Sequence, residues 1–275
     1  MDCRLPNVIA RGERSYCVRL QKSHVRAIRA PASETSRKSF GSPQGKLKFM
    51  NSFTLVIPEP ARAGNSFNRF LAMSMIGRTF HPQRVHALAT MFTRLTEASF
   101  LQYERGRETL IDYFAHPGFR PETRIDASIY FEACITDVWR AMRFARALRS
   151  QKEVPQNVKD AFPRTLAFLS GSAESKVRRA RDAIQHFESD ILKGIITEEH
   201  DLMLFPTGPL EVINEDTFRT IDRLRLREFE LVFSELADWL GEMSCCIEGM
   251  ALLLSDGLLP RPRGRRKKPV QTLAG

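Results

Sequence analysis

The sequence predicts an all-α fold, in which three to four long antiparallel helices form a bundle with a short β-hairpin inserted before the last helix. Apolar residues recur at spacings of three and four along several long stretches, the period of a buried helix face. Proline, glycine and asparagine fall between these stretches, where helices end. Hydrophobic residues make up 43% of the chain and charged residues 27%, which is typical of a soluble globular protein. We therefore expect a cytoplasmic protein with no membrane contact.

Charge divides the 275-residue chain into three parts. Residues 1–49 hold 11 basic and 3 acidic residues, and residues 259–275 hold 6 basic residues and no acid. The part between them, 50–258, holds 25 basic and 29 acidic residues, although the whole chain has a net charge of +10. We expect 50–258 to be the folded helical domain. Because that domain is mildly acidic, its surface is a poor candidate for a broad nucleic-acid footprint.

The two basic ends lack the apolar periodicity of a folded segment. Residues 1–49 are rich in Arg and Ser, so we expect a disordered basic extension. Two other interpretations stay open: an organellar transit peptide, or an over-extended gene start with Met50 as the true first residue. The tail 259–275 is also expected to be disordered. Such a tail can bind nucleic acid or an acidic partner, or can simply aid solubility.

The first half of the domain contains one short extended segment and three helical patterns. An apolar run at 53–57, closed by prolines, predicts a single strand or an extended lead-in. A short helix is expected from Asn68 to Gly77. Residues 83–115 form a long helical pattern with Gly106 as its candidate break, and His116-Pro117-Gly118 is expected to end it. Pro121 begins the next helix, which runs to about Leu148.

Four arginines follow the same three-residue step near the end of that helix. They form a slanted cationic ridge, because a three-residue step drifts slowly around a helix. The ridge predicts either a solvated face partly paired with acids of a neighbouring helix, or a phosphate-contacting surface. Its members are Arg140, Arg143, Arg146 and Arg149.

The second half begins with a loop at 150–162 and a short turn or helix from Pro163 to Leu169. An amphipathic helix then runs from Ser172 to Gly194, with Ser172 as its N-cap and Gly194 as its stop. Short apolar runs at 200–213 predict a small β-hairpin or an extended loop.

The strongest periodic signal lies in residues 216–254, where apolar residues alternate steps of three and four like a heptad seam. This seam predicts a long last helix that packs on the other long helices or on a second copy of the chain, so a homodimer through this helix is one expected partner. The seam comprises Phe229, Val232, Leu236, Trp239, Met243, Cys246, Met250 and Leu253.

The five cysteines have an odd count and no metal-binding spacing. We expect reduced thiols, no disulfide framework, and neither a metal nor another cofactor. Cys246 fits a core position and Cys134 is a second candidate for one. The others are Cys3, Cys17 and Cys245.

One constellation has residues suited to catalysis. Arg179, Asp182 and His186 lie on one helical stripe, and Arg181 lies on a flank, about 140° from His186. Histidine has a pKa near neutrality and can move the proton of a 2′-hydroxyl or leaving group. Arginine binds phosphate oxygens. Asp182 lies one turn before His186, where a carboxylate can hold the tautomer of the imidazole.

Arg181, four residues and His186, with the polar Asp182 directly after the arginine, resemble the motif of the HEPN superfamily of all-helical domains. Arg179 also satisfies the motif, with six residues between. The resemblance implies a metal-independent endoribonuclease, with RNA as a partner, in which His186 acts with Arg181 or Arg179 and with Asp182. Other members are inactive interaction or nucleotide-binding modules, and the domains commonly dimerise. The alternative is a non-catalytic helical scaffold or dimerisation protein, with these side chains as a solvated stripe.

Overall fold

The computed structural model describes residues 28–29, 51–115, 121–163, 165–194, 204–213, 216–226 and 228–256. These residues are mostly helical, with a minority in short strands, so the mainly helical character of the prediction is confirmed. Of the expected basic extension, only the two-residue strand at 28–29 lies among them, and the tail 259–275 lies outside them. Within the described ranges, no helix is long and apolar enough to cross a membrane.

The longest helices are α2 (Gln83–Ala115) and α3 (Pro121–Ser150), which pack along each other as a helical hairpin. The expected break at Gly106 is wrong, because α2 continues through it. Gly106 instead lets the two helices approach closely: a Cβ atom built there would lie 2.9 Å from the ring of Phe131. The predicted helix end at 116–118 lies outside the described residues.

The last helix, α6 (Phe233–Ser255), runs through the centre of the fold. It packs against α1 (Ser66–Met75), α2 and the short helix α4 (Gln156–Asp160), which falls within the segment predicted as a loop. The seam residues Leu236 to Met250 are buried inside the same chain, with Trp239 only 5% exposed. The partner surface that the seam requires is therefore supplied within one molecule, and the homodimer through this helix stays a prediction.

Among the residues that the structure describes, seven short strands form two sheets. The first sheet has the order β1-β2-β5-β4 and the second β3-β6-β7. Of these strand pairs only β2 with β5 is parallel, and it joins a strand that precedes the helices to one that is followed by the last helix alone. The strands are β1 (Ile28–Arg29), β2 (Asn51–Leu55), β3 (Phe205–Thr207), β4 (Leu210–Ile213), β5 (Asp216–Ile221), β6 (Arg223–Leu226) and β7 (Phe229–Val232).

Short antiparallel strand pairs precede the last helix, β4 with β5 and β6 with β7, but the strands within 204–213 do not pair with each other, because β3 pairs with β6. The predicted start of the last helix is wrong. The helix predicted from 216 begins only at Phe233. Residues 223–226 alternate between half-buried and buried side chains, which is the period of two of a strand. Phe229 and Val232 matched the helical spacing but belong to β7.

A 3₁₀ turn (Ala167–Leu169) leads into α5 (Gly171–Leu192), the predicted amphipathic helix. The expected N-cap Ser172 is wrong: Ser170 is the cap, and its Oγ accepts a hydrogen bond from the Ala173 N–H at 3.2 Å. The expected bundle of three to four long antiparallel helices is not confirmed. The reason is that α6 lies beside α1 in the same direction, and α5 packs on both α3 and the strands β6 and β7.

Candidate functional site

The helix α5 carries the predicted constellation on its outer side. Its inner face is formed by Ala173, Val177 and Ala180, which are 3%, 0% and 4% exposed, as the periodicity predicted. Burying this face against α3 fixes the helix, so the remaining positions point toward its flanks or toward solvent.

Asp182 is engaged by two arginines of its own helix. Its Oδ1 accepts a hydrogen bond from Arg181 Nη1 at 2.8 Å, and its Oδ2 lies 3.5 Å from Arg178 Nε. All three side chains are at least partly exposed, so each pair contributes little to stability, on the order of 0.5 kcal/mol. The carboxylate is thus used to neutralise arginines, and the structure does not bring it to His186.

Arg179 fastens α5 to the strand β7. Its guanidinium carbon lies 4.8 Å from the centre of the Phe229 ring, and its Nη2 lies 3.8 Å from Glu228 Oε1. A cation over an aromatic ring at an exposed site contributes about 0.5–1 kcal/mol. Arg179 therefore has a structural contact that accounts for its position on the helix.

His186 is exposed, and its side chain makes no hydrogen bond or ion pair with any residue that the structure describes. It lies on the same stripe of α5 as Arg179, about 10 Å farther along the axis, since each residue rises about 1.5 Å. Arg181 lies on the other flank. The structure thus joins Arg181 to Asp182 and leaves Arg179 and His186 apart from that pair and from each other.

The arginine ridge of α3 is partly paired with acids. Arg146 forms a two-pronged ion pair with Glu174 of α5, and Arg140 lies 3.5 Å from Asp137 of its own helix. The Arg146–Glu174 pair joins two helices, as expected for a solvated face that is partly paired with acids of a neighbouring helix. These two guanidinium groups are therefore less available to phosphate than bare sequence spacing implies.

Three carboxyl groups have raised pKa values, and two of them accept backbone hydrogen bonds that the sequence did not signal. Burial raises the pKa of Glu132 and of Glu242, while hydrogen bonds from backbone N–H groups oppose that rise. Glu242 accepts from the Phe168 N–H at 3.0 Å and so ties α6 to the 3₁₀ turn. Burial also raises the pKa of Asp238. Carboxylates that accept backbone N–H groups satisfy donors that a chain turn leaves unpaired.

A second polar constellation lies where α1 begins, in a cavity of about 40 Å³ lined by Arg62, Ser66, Thr96, Glu97 and Ser244 among others. Arg62 Nη1 lies 3.0 Å from Glu97 Oε1, and Arg62 Nε lies 3.3 Å from Glu104 Oε1. The two acids neutralise this guanidinium, so the cavity offers no unpaired cation to an anionic ligand. Sequence reasoning missed it, because only folding brings the loop before α1 onto α2.

Metal chemistry has no visible basis in the part of the chain that the structure describes. It contains no group of three or more His, Cys, Asp or Glu side chains placed to hold a metal ion. Cys134 and Cys246 are buried core residues, as predicted, and burial raises the pKa of the Cys134 thiol. A thiol with a raised pKa is a poor nucleophile and a poor metal ligand.

Comparison with known proteins gave no relative. No protein-family model, curated protein or solved structure matches the chain.

Proposed function

We propose that this protein is a non-catalytic helical scaffold, in which the long helices α2, α3, α5 and α6 support a body with a basic segment at each end of the chain. The observation that carries the proposal is the position of Asp182. Its carboxylate pairs with Arg178 and Arg181, so Asp182 does not orient the imidazole of His186.

The remaining members of the constellation support the same proposal. Arg179 packs on Phe229 and lies near Glu228, which gives it a role in fastening α5 to β7. Catalysis on RNA needs a proton-transfer group and a cation within reach of one phosphate. His186 and Arg179 are separated by two turns of helix, and the guanidinium of Arg179 lies over Phe229.

The experiment measures RNA cleavage by the full chain in EDTA, for the parent protein, for His186→Ala and for an Arg179→Ala/Arg181→Ala double variant. The scaffold proposal expects no cleavage above a buffer control by any of the three. Cleavage by the parent that both variants lose, with unchanged circular dichroism, would refute it. Equal cleavage by all three would indicate a contaminating nuclease or a site elsewhere in the chain.

A second experiment tests the structural role of Asp182 by measuring the free energy of unfolding. Asp182→Ala leaves Arg181 without its 2.8 Å partner, and the expected loss is about 0.5–1 kcal/mol of unfolding free energy. His186→Ala removes an exposed side chain and is expected to change stability by less than about 0.5 kcal/mol. A larger loss for His186→Ala than for Asp182→Ala would contradict the structural role given to Asp182.

A second candidate function is a HEPN-like metal-independent ribonuclease, assembled from two copies of the chain. It is favoured by the position of Arg179 and His186 on one exposed stripe of α5, which a twofold axis can place opposite the same stripe of a partner. In that arrangement Arg179 of one protomer acts with His186 of the other. Mixing the Arg179→Ala and His186→Ala proteins would then restore part of the cleavage that each lacks alone.

A further inference from the structure

The helix α1 carries an apolar outer face, formed by Leu71, Met75 and Ile76. These side chains are 44%, 80% and 66% exposed. No charged residue occurs between Phe70 and Gly77, so the face has no charge of either sign. Helix positions this exposed normally carry polar or charged residues, and three large apolar side chains together mark a contact surface.

The outer face lies beside the point where the chain leaves α6. The helices α1 and α6 run in the same direction, since Ser66 Oγ lies 3.4 Å from Ser244 Oγ and Arg69 pairs with Glu248 one turn later. At the end of both helices, the guanidinium of Arg78 donates a hydrogen bond to the Leu254 carbonyl at 2.8 Å and another to Ser255. The end of α1 is thereby tied to the last turn of α6.

Beyond Asp256, the last residue that the structure describes, the sequence continues Gly-Leu-Leu-Pro and then enters the basic stretch that begins at Arg261. Between Asp256 and Val270, Leu258 and Leu259 are the only large aliphatic residues of the sequence. An extended chain covers about 3.3–3.6 Å per residue, so Leu259 can reach about 10 Å from Asp256. The end of α1 lies close to this point, because the Arg78 side chain contacts the Ser255 carbonyl.

We propose that Leu258 and Leu259 pack on the α1 outer face of the same molecule, against Met75 and Ile76. The short connection from Asp256 favours this occupant over a second copy of the chain. A short tether holds its ends at an effective concentration in the millimolar range, whereas a second copy is present at its bulk concentration. The basic residues that follow gain no ion pair on this face, since it carries no acid and the nearby Glu248 is already paired with Arg69.

The experiment uses the full chain with Met75 replaced by the photo-crosslinking residue benzoylphenylalanine. Met75 is 80% exposed, so the replacement does not disturb the core. After irradiation, mass spectrometry is expected to find a crosslink within one molecule between position 75 and the peptide that contains Leu258 and Leu259. The same residue at Leu101, which is 45% exposed on α2, is the control position and is expected to give no crosslink to that peptide.

Two tail variants make the test specific. In the position-75 protein, Leu258→Ser/Leu259→Ser is expected to reduce the crosslink to the level of the Leu101 control, because it removes the apolar contact. The matched Val270→Ser/Leu273→Ser variant removes two aliphatic residues of the same tail and is expected to retain the crosslink. Circular dichroism of each protein checks that the helices remain folded.

Three results would overturn the proposal. A covalent dimer through position 75 would assign the α1 outer face to a second copy of the chain. The absence of any crosslink to residues 257–275 would show that the tail does not lie there. Loss of the crosslink in the Val270/Leu273 variant as well would mean that the contact does not depend on the two leucines. None of these outcomes bears on RNA cleavage, so this inference and the scaffold proposal succeed or fail separately.

Discussion

Substitution of Gly106 by alanine is expected to destabilise the protein, although helix propensity alone predicts the opposite. In the interior of a helix such as α2, alanine is about 1 kcal/mol more favourable than glycine. The Cβ atom at position 106, however, would lie 2.9 Å from Phe131 Cε2 and 3.0 Å from its Cζ. Carbon atoms at optimal contact are about 3.5–4.0 Å apart, so the ring has to move.

The ring of Phe131 has little room to move. It is fully buried and lies edge-on to Tyr103 at a centroid distance of 5.8 Å and against Phe233 at 5.2 Å. Overpacking in a close-packed core costs about 1–3 kcal/mol. After the propensity gain is subtracted, we expect a net loss of about 1 kcal/mol, which lowers Tm by about 2–4 °C in a chain of this size.

Urea denaturation and thermal unfolding of Gly106→Ala measure this loss directly. Gly171→Ala is the matched control, since a Cβ atom at the first residue of α5 meets nothing within 4 Å and no loss is expected there. In a Phe131→Leu background the smaller side chain relieves the contact, so the cost of Gly106→Ala is expected to shrink. A Gly106→Ala protein with a higher Tm than the parent would refute the packing argument and leave propensity as the governing effect.

Two further predictions concern single polar groups. Ser170→Ala removes the N-cap of α5, whose Oγ accepts a hydrogen bond from the Ala173 N–H, and is expected to lower the free energy of unfolding by about 1 kcal/mol in urea denaturation. Ser172→Ala is expected to lower it much less. Equal losses would show that the cap hydrogen bond is not the source of the stability. Burial, and secondarily the charge of His81, lowers the pKa of His86. The unfolded chain therefore binds this proton more readily than the folded one, and stability is expected to fall as pH decreases through about 6.5 toward the lowered value. His86→Phe is expected to flatten that part of the stability–pH curve, and an unchanged slope would contradict the assignment.

The long helices were predictable because their signal is local. The spacing of Val85, Phe92 and Leu110 marks one face of α2, and all three side chains are buried. The proline that begins α3 and the apolar stripe of α5 are local signals too. Both helices begin and end within about two residues of their predicted bounds. These patterns need no knowledge of the partner surface, since any apolar neighbour can cover them.

The sheets were not predictable, because their pairing is non-local. Asn51 to Leu55 form β2 by pairing with β1 and with β5, and the residues of β5, 216–221, come after every helix except α6. A short apolar run does not indicate which distant strand completes it. The same limit explains the misplaced start of α6: Phe229 and Val232 continued the spacing of three and four, but strand pairing with β6 placed them in β7.

Asp182 lies apart from His186 for a reason that is visible in the sequence once the geometry is known. A carboxylate on a helix can reach residues four positions away in either direction. For Asp182 these are Arg178 and His186, and Arg181 is its immediate neighbour. An arginine is charged at every ordinary pH and donates five N–H groups, whereas an imidazole offers at most two. The carboxylate therefore favours the guanidinium groups.

This competition restricts how a nuclease could use these residues. Removing Arg178 alone would leave Asp182 bound to Arg181 Nη1 at 2.8 Å, so this carboxylate would still be held away from His186. Removing both arginines would free the carboxylate but would also remove Arg181, one of the two cations that the motif offers. Only Arg179 would then remain on the stripe of His186, and that guanidinium already lies over Phe229. An arginine-rich helix can thus reproduce the spacing of a catalytic motif while its own ion pairs keep the members of that motif apart.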